Sequence, residues 1–424
     1  MIKVMSSAWA LLLGMMLLQV GNGMQGTLLG IRGEIEGFST IEMSLVMSGY
    51  FVGFLFGSRM APDMIRRVGH VRVFAALGSL ISAVMILYPV LPNPVAWGAG
   101  RILIGFCFSG VYVTAESWLN EAADNENRGK ALSLYMIMQM VGIVSAQYLL
   151  ILGEPSGFVL FIIPSVLVSI AFAPILLSVS PTPAFDTTKP LSLREIMRIS
   201  PLGCVGMFLL GGVFSAQFGM APVYGAEAGL SVAQISTFVS FFFISALIVQ
   251  YPIGWLSDRM DRRVMIMAGA LIIGLGGLIG IFLGDVFILL CVAAAMIGGM
   301  SNPLYSLLIA YTNDFLEHSD MAAAAGGMVF INGLGAVFGP LLTGWIMGAL
   351  GPWGFFMFIA VLGFAMAGYA GYRMTQRPAI SVEDQDAYAV VMPSASPVAV
   401  AIAQEWAIDE AQSEDDEDEA AKEA

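Results

Sequence analysis

Long apolar stretches, one after another, constrain this chain more than any other feature. Uninterrupted runs of about 18 or more residues recur through the sequence, and each is long enough as a helix to cross roughly 30 Å of hydrocarbon. Only 12% of the 424 residues are charged and 58% are hydrophobic, whereas a soluble domain carries about 25% charge. A water-soluble globule is excluded. In hydrocarbon every backbone N–H and C=O must be satisfied within the segment, so the runs read as helices of a polytopic all-α membrane protein.

Gly, Pro and charge clusters divide the runs into windows at about 7–30, 40–61, 72–92, 95–118, 131–152 and 157–179, then 202–224, 232–256, 263–284, 286–312, 325–349 and 353–374. Met1 to Gln25 has the outline of a signal peptide, but no A-x-A-like cleavage site follows and many more spans do, so it reads as the first helix. The expected organisation is twelve transmembrane helices in two six-helix bundles, 1–179 and 201–377. They are joined by a linker over 180–200 whose second half can form a short amphipathic helix.

The net charge of −13 is unevenly spread: residues 1–377 hold 18 acids and 17 bases, while 378–424 hold 13 acids and Lys422. The acidity therefore belongs to a tail, expected to be disordered or only transiently helical because its composition cannot bury enough apolar surface to offset chain entropy, with one short patch around Val398 to Ile408, including Trp406, able to lie on a surface. No basic patch can track a phosphate backbone, which argues against nucleic-acid binding. Cys107, Cys204 and Cys291 lie inside apolar runs without CxxC spacing and imply neither disulfide nor metal. Loops after odd-numbered helices contain only Arg32, whereas those after even-numbered helices contain Arg59, Arg66, Arg67, Arg72, Arg128, Lys130, Arg259, Arg262 and Arg263 among others. The positive-inside rule then puts both termini and the tail in the cytoplasm of a bacterial inner membrane.

The halves repeat. Ser39, Ser44 and Ser48 match Ser231, Ser236 and Ser240 at an offset of 192, and Tyr112 with Asn120-Glu121 matches Tyr305 with Asn313-Asp314 at 193. Duplication of a six-helix unit is the simplest origin.

The loop after the eighth window reads Gly254-Trp255-Leu256-Ser257-Asp258-Arg259-Met260-Asp261-Arg262-Arg263. It resembles the G-x-L-x-D-R-x-G/D-R-R signature of the major facilitator superfamily. The amino-terminal copy, Pro62 to His70, keeps Arg67 and Gly69 but has Pro62 for the opening glycine and Arg66 for the aspartate. Arg101-Ile102-Leu103-Ile104-Gly105 resembles the family's R-x-x-x-G element, and Arg128-Gly129, with Glu121 seven residues earlier, resembles its charge relay. Within the family, Glu116-Ser117-Trp118-Leu119-Asn120 and the Arg66-to-His70 stretch are most similar to the bacterial YcaD-like branch. A G-x-x-x-G-P-x-x-x-G element typical of drug antiporters in the fifth helix falls here in the eleventh, at Gly335 to Gly344.

The resemblance implies a secondary transporter that moves a small solute, with or without a proton, by rocking two bundles about a midplane site. It implies a monomer without cofactor. In this fold helices 1, 4, 7 and 10 line the cavity, so Asn22, Gln25, Arg101, Tyr112, Gln217, Asn302 and Tyr305 are candidate solute contacts, with Gln139, Gln250 and Asn332 added from helices 5, 8 and 11; each is equally an interhelical hydrogen bond. Arg101 either faces a cavity or partner, or snorkels to the headgroups. Glu116, the acid in the body of a span, either carries a proton or pairs with the arginines after helix 2. Coupling or gating is assigned to Glu116, Glu121, Arg128, Arg67, Gly254, Asp258, Arg259 and Arg262. An enzyme is disfavoured because His70 and His318 fall in loops and no intramembrane Asp pair, metal cluster or GxSxG occurs. A non-transporting receptor or signalling protein is the remaining alternative, supported by the tail.

Overall fold

The computed structural model describes residues 2–122, 128–177, 191–381 and 385–408. Helices α1 (Ile2–Ile35), α2 (Thr40–Val68), α3 (His70–Val90), α4 (Pro94–Ala122), α5 (Arg128–Leu150) and α6 (Val159–Leu177) form the first half. The short α7 (Leu193–Ile199) leads into α8 (Pro201–Ser215), a π-helical turn (Ala216–Met220) and α9 (Ala221–Glu227), which together make one rod. Then follow α10 (Val232–Ser257), α11 (Arg262–Leu283), α12 (Phe287–Asn313), α13 (His318–Leu350) and α14 (Gly354–Gln376). A last helix, α15, covers Pro397–Ile408. Each predicted apolar window falls on one of these helices. Among the described residues ten are long and apolar enough to cross a membrane: α2 to α5, the α8–α9 rod and α10 to α14. Large apolar side chains such as Phe56, Leu152, Tyr251, Phe282 and Trp345 are exposed outward, as a surface solvated by lipid requires.

Local sequence signals explain where the helices start. Ser39 and Ser231, a pair in the repeat, each open a helix with a capping box, to Glu42 in α2 and Gln234 in α10. Ser192 and Glu195 do the same for α7, the helix foreseen in the linker. Within the first half α2 packs on α4, and α1 on α5 and α6; within the second α10 packs on α12, α11 on α14, and α8 on α13. Contacts of α2 with α13, α5 with α10 and α1 with α9 join the halves. The α2–α4 approach depends on glycine: a Cβ on Gly53 would lie 1.8 Å from the Ile102 carbonyl oxygen, and one on Gly105 1.9 Å from that of Tyr50.

Two expectations fail. His70 and His318 are not loop residues but the first residues of α3 and α13, and His70 is buried with its ring 6.2 Å from that of Trp118. The tail is not structureless over 385–408: Ala389, Val391, Ala399, Val400 and Ala403 are buried against the helices. Averaging over the whole tail hides the reason. The segment Ala387 to Pro393 is apolar, and the acids gather beyond Ile408, where residues 409–424 lie outside those described.

Candidate central binding site

A cavity lies between the halves, with about 760 Å³ of empty space when the part open to solvent is included. Its polar wall comes from Gln19 and Asn22 on α1, Tyr50 and Ser58 on α2, and Tyr112 on α4, faced by Asn302 on α12 and Asn332 on α13. Its aromatic wall comes from Phe51, Phe54, Phe214, Phe218 and Phe243. Met392, Pro393 and Ser394 of the tail complete the lining. No charged residue is among the described lining.

The polar groups form a connected network. Asn22 Nδ2 donates to the hydroxyls of Tyr50 and Tyr112, each at 3.2 Å. The Tyr112 hydroxyl donates to Gln19 Oε1 at 2.8 Å, and Gln19 Nε2 donates to Gln139 Oε1 at 2.8 Å. Asn22 Oδ1 is buried without a hydrogen-bond partner among the described residues. A buried amide acceptor lacking a donor costs about 1–3 kcal/mol, so this atom is poised for a donor brought by a bound molecule. Tyr50 stacks with Phe54, and Phe214 with Phe218, at centroid separations of 6.1 Å in both pairs.

Of the ten predicted solute contacts, Asn22, Tyr112, Asn302 and Asn332 line this cavity. Asn332 also donates to the Met207 carbonyl at 3.0 Å. Gln139 stands behind Gln19. Gln217, in the π-helical turn, accepts from Ser301 at 3.2 Å and does not reach the lining. Gln25 and Tyr305 are buried elsewhere, with the Gln25 amide atoms and the Tyr305 hydroxyl unpaired among the described residues. Gln250 donates to Ser306 at 3.2 Å and to the Tyr388 hydroxyl of the tail at 3.0 Å.

Of its expected placements, Arg101 takes the one against a partner. It is fully buried, which excludes snorkelling, and it does not line the cavity. The glycine-mediated approach of α2 lays Tyr50 across it, the guanidinium carbon 4.8 Å from the ring centroid. All three guanidinium nitrogens lack hydrogen-bond partners among the described residues.

Gln19 and Tyr50 escaped the sequence reading. Gln19 is one helical turn before Asn22, so the i, i+3 spacing on a cavity helix was the available signal. Tyr50 sits beside the Gly49-Gly53-Gly57 face, and nothing in sequence separates a packing tyrosine from a lining one.

At the Arg-rich end of the helices, Arg262 is buried and pairs with Asp314, with Asp258 3.7 Å away and Ser257 Oγ at 3.2 Å. Burial pushes the Asp314 carboxyl up to about 6, against the opposing pull of Arg262. Burial also raises Asp258, which Arg262 opposes. Arg259 lies over the Trp255 ring at 4.3 Å and donates to the Trp255 carbonyl at 2.9 Å. Arg67 is exposed. Among the described residues Glu116 meets no arginine: it accepts from the Tyr135 hydroxyl at 3.2 Å and from the Ser396 backbone N–H at 3.0 Å. The expected pairing with the arginines after α2 is thereby overturned, because α4 carries Glu116 inward to α5 and the tail. The side chains of Glu121, Arg128 and His318 lie outside the described residues.

Solved structures with the same architecture include the nucleoside transporter NupG, with a TM-score of 0.68, 14% identity, and coverage of 88% of this chain and 99% of that one. Another is a bacterial homologue of the human lysosomal transporter Spinster in an inward-facing, unoccupied conformation, with a TM-score of 0.66, 15% identity and 96% of each chain covered. By sequence the chain is similar to the MFS-type transporter YcaD of Escherichia coli, 25% identical over 342 residues that cover 80% of this chain and 88% of that protein. YcaD of Salmonella arizonae is 23% identical over 341 residues, with the same coverage. The family model for the Major Facilitator Superfamily matches residues 11–231 and 203–393. With the signature loop, paired halves and a cavity between them, this multi-pass membrane protein belongs to the major facilitator superfamily of transporters.

Proposed function

We propose that the chain is a secondary carrier that moves a small, uncharged solute across the bacterial inner membrane by alternating access of a central site. The observation that carries this reading is the cavity itself, lined by amides, tyrosines and phenylalanines with no charge among its described residues. Such a lining suits a planar molecule with hydrogen-bonding edges, since aromatic faces hold the body and amides fix its orientation. In this reading α1 and α6 complete twelve spans as two bundles, 1–179 and 201–377. The Arg-rich end, the linker and both termini face the cytoplasm, and the protein works as a monomer. Arg67, Gly254, Asp258, Arg259 and Arg262 belong to the switch between access states, as Glu121 and Arg128 do in the other half. Glu116 is the group that would take up a co-transported proton.

The test is a thermal-stabilisation screen on purified protein with nucleosides, sugars and organic anions, followed by uptake into proteoliposomes with and without a pH gradient. Stabilisation by an uncharged planar compound, weakened by Asn22→Ala and Tyr112→Phe, supports the reading. Stabilisation by anions alone contradicts the solute class. Ligand binding without flux would favour a receptor.

A further inference from the structure

Residues 385–408 fill a cleft at the Arg-rich end, and the helices around it hold much of the segment by its backbone. Asp314 accepts from the Asp386 N–H at 3.1 Å, and Arg262 donates to the Asp386 carbonyl. Ser306 Oγ accepts from the Val391 N–H at 2.9 Å and donates to the Val391 carbonyl at 3.0 Å. Glu116 accepts from the Ser396 N–H at 3.0 Å. Arg262, Ser306 and Glu116 are each at most 1% exposed. Buried polar side chains spent on the backbone of a passing segment are the mark of peptide recognition, in which main-chain hydrogen bonds give affinity and pockets give specificity.

The pockets are also built. A Cβ on Gly254, the first residue of the signature loop, would lie 2.9 Å from the Tyr388 ring. One on Gly129 would lie 2.0 Å from the Trp406 ring. Neither position has room for a side chain while the segment is docked.

The segment touches both halves, Glu116 and Gly129 on one side and Gln250, Arg262, Ser306 and Asp314 on the other. At the opposite end the halves meet directly. There Thr40 donates to Glu227, and a Cβ on Gly344 would lie 2.2 Å from that of Ser44. We propose that the cleft is a peptide-binding site whose ligand is the chain's own residues 385–408. The docked segment shuts the central cavity at the Arg-rich end, with Met392, Pro393 and Ser394 as its floor, and acts as a wedge that keeps the halves from closing there.

The test uses the full chain in detergent and the rate of maleimide labelling, since Cys107, Cys204 and Cys291 are buried and set a low background. Val400→Cys reports docking, because Val400 is 0% exposed, and Glu405→Cys is the exposed reference. Ser58→Cys reports the cavity. Val400→Cys should react at least about tenfold more slowly than Glu405→Cys, the protection that a stable local structure gives. Adding Val391→Pro, which removes an N–H held by Ser306, should raise the Val400→Cys and Ser58→Cys rates together by about tenfold. Ser306→Ala, a milder change on the helix side, should move both the same way. Equal labelling of Val400→Cys and Glu405→Cys, or no response to either variant, would overturn the docking site. Release of Val400→Cys without a gain at Ser58→Cys would overturn the plug.

Discussion

The two copies of the signature loop stand at matching positions of the repeat in opposite surroundings. In the second half Arg262 is buried and divides its donors among Asp314, Ser257 and the Asp386 carbonyl. In the first half, the offset of 192 places His70 where Arg262 stands, and the ring is buried against Trp118. Arg66 occupies the position of Asp258 and pairs with Asp63, half-exposed, one turn back on its own helix. One copy is thus a buried charge network tied to the tail, and the other a surface ion pair over an aromatic contact. Placing the same loop under a docked segment turns a cluster of arginines into a structural joint.

The largest effect expected from that contrast is at Arg262. Arg262→Ala strands the buried Asp314 carboxylate and should cost about 3–5 kcal/mol, the scale for breaking a buried pair. Arg66→Ala should stay within about 0.5 kcal/mol, as for an ordinary surface change. Denaturant unfolding in detergent measures both, and equal losses would abolish the distinction between the copies.

Next comes His70→Ala, which removes a buried ring and should cost about 2–4 kcal/mol by loss of packing. Unfolding unchanged by this variant would show that the first-half loop contributes nothing through its histidine.

A smaller effect concerns pH. The Asp314 carboxyl sits at about 6 in the folded protein against an ordinary 3.8. The folded state therefore holds that proton more tightly than the unfolded chain does. Its contribution to stability is complete below about 3.8 and is lost as pH rises through about 6. Burial is the cause; Arg262 and the Asp386 N–H oppose it, and the Asp386 charge adds to it. Melting temperature followed from pH 4 to 7 should fall across this window in the parent, and Asp314→Asn should flatten the slope. A parallel slope in the variant would assign it to another group.

The smallest effect is expected at Asp258, 48% exposed and 3.7 Å from Arg262. Asp258→Asn should change stability by less than about 1 kcal/mol. A loss as large as that of Arg262→Ala would make Asp258, not Asp314, the principal counter-charge.

Helix positions were legible because hydrophobic length is a strong signal, and the serine caps that start α2, α7 and α10 are local. The site was legible only in part. Asn22, Tyr112, Asn302 and Asn332 stood out as polar residues in apolar helices. Arg101 shared that property, yet a neighbouring helix drawn close by glycine covered it, and such an approach depends on two segments some 50 residues apart in sequence. The docking of Tyr388, Val391 and Ser396 was hidden for the same reason. Each meets a partner between 85 and 280 residues away, and averaging with the acids beyond Ile408 masked the apolar stretch they occupy.

The short connection between α14 and the docked segment sets how that segment competes. α14 ends at Gln376 and the docked segment is held at Asp386, ten residues on, so the tether is short. Short tethers give effective concentrations in the millimolar range. Even a segment of weak intrinsic affinity then occupies its cleft most of the time, while a free peptide of the same sequence would have to reach that concentration to displace it. Occupancy is correspondingly easy to tune, since each 1.4 kcal/mol taken from the grip shifts the balance about tenfold.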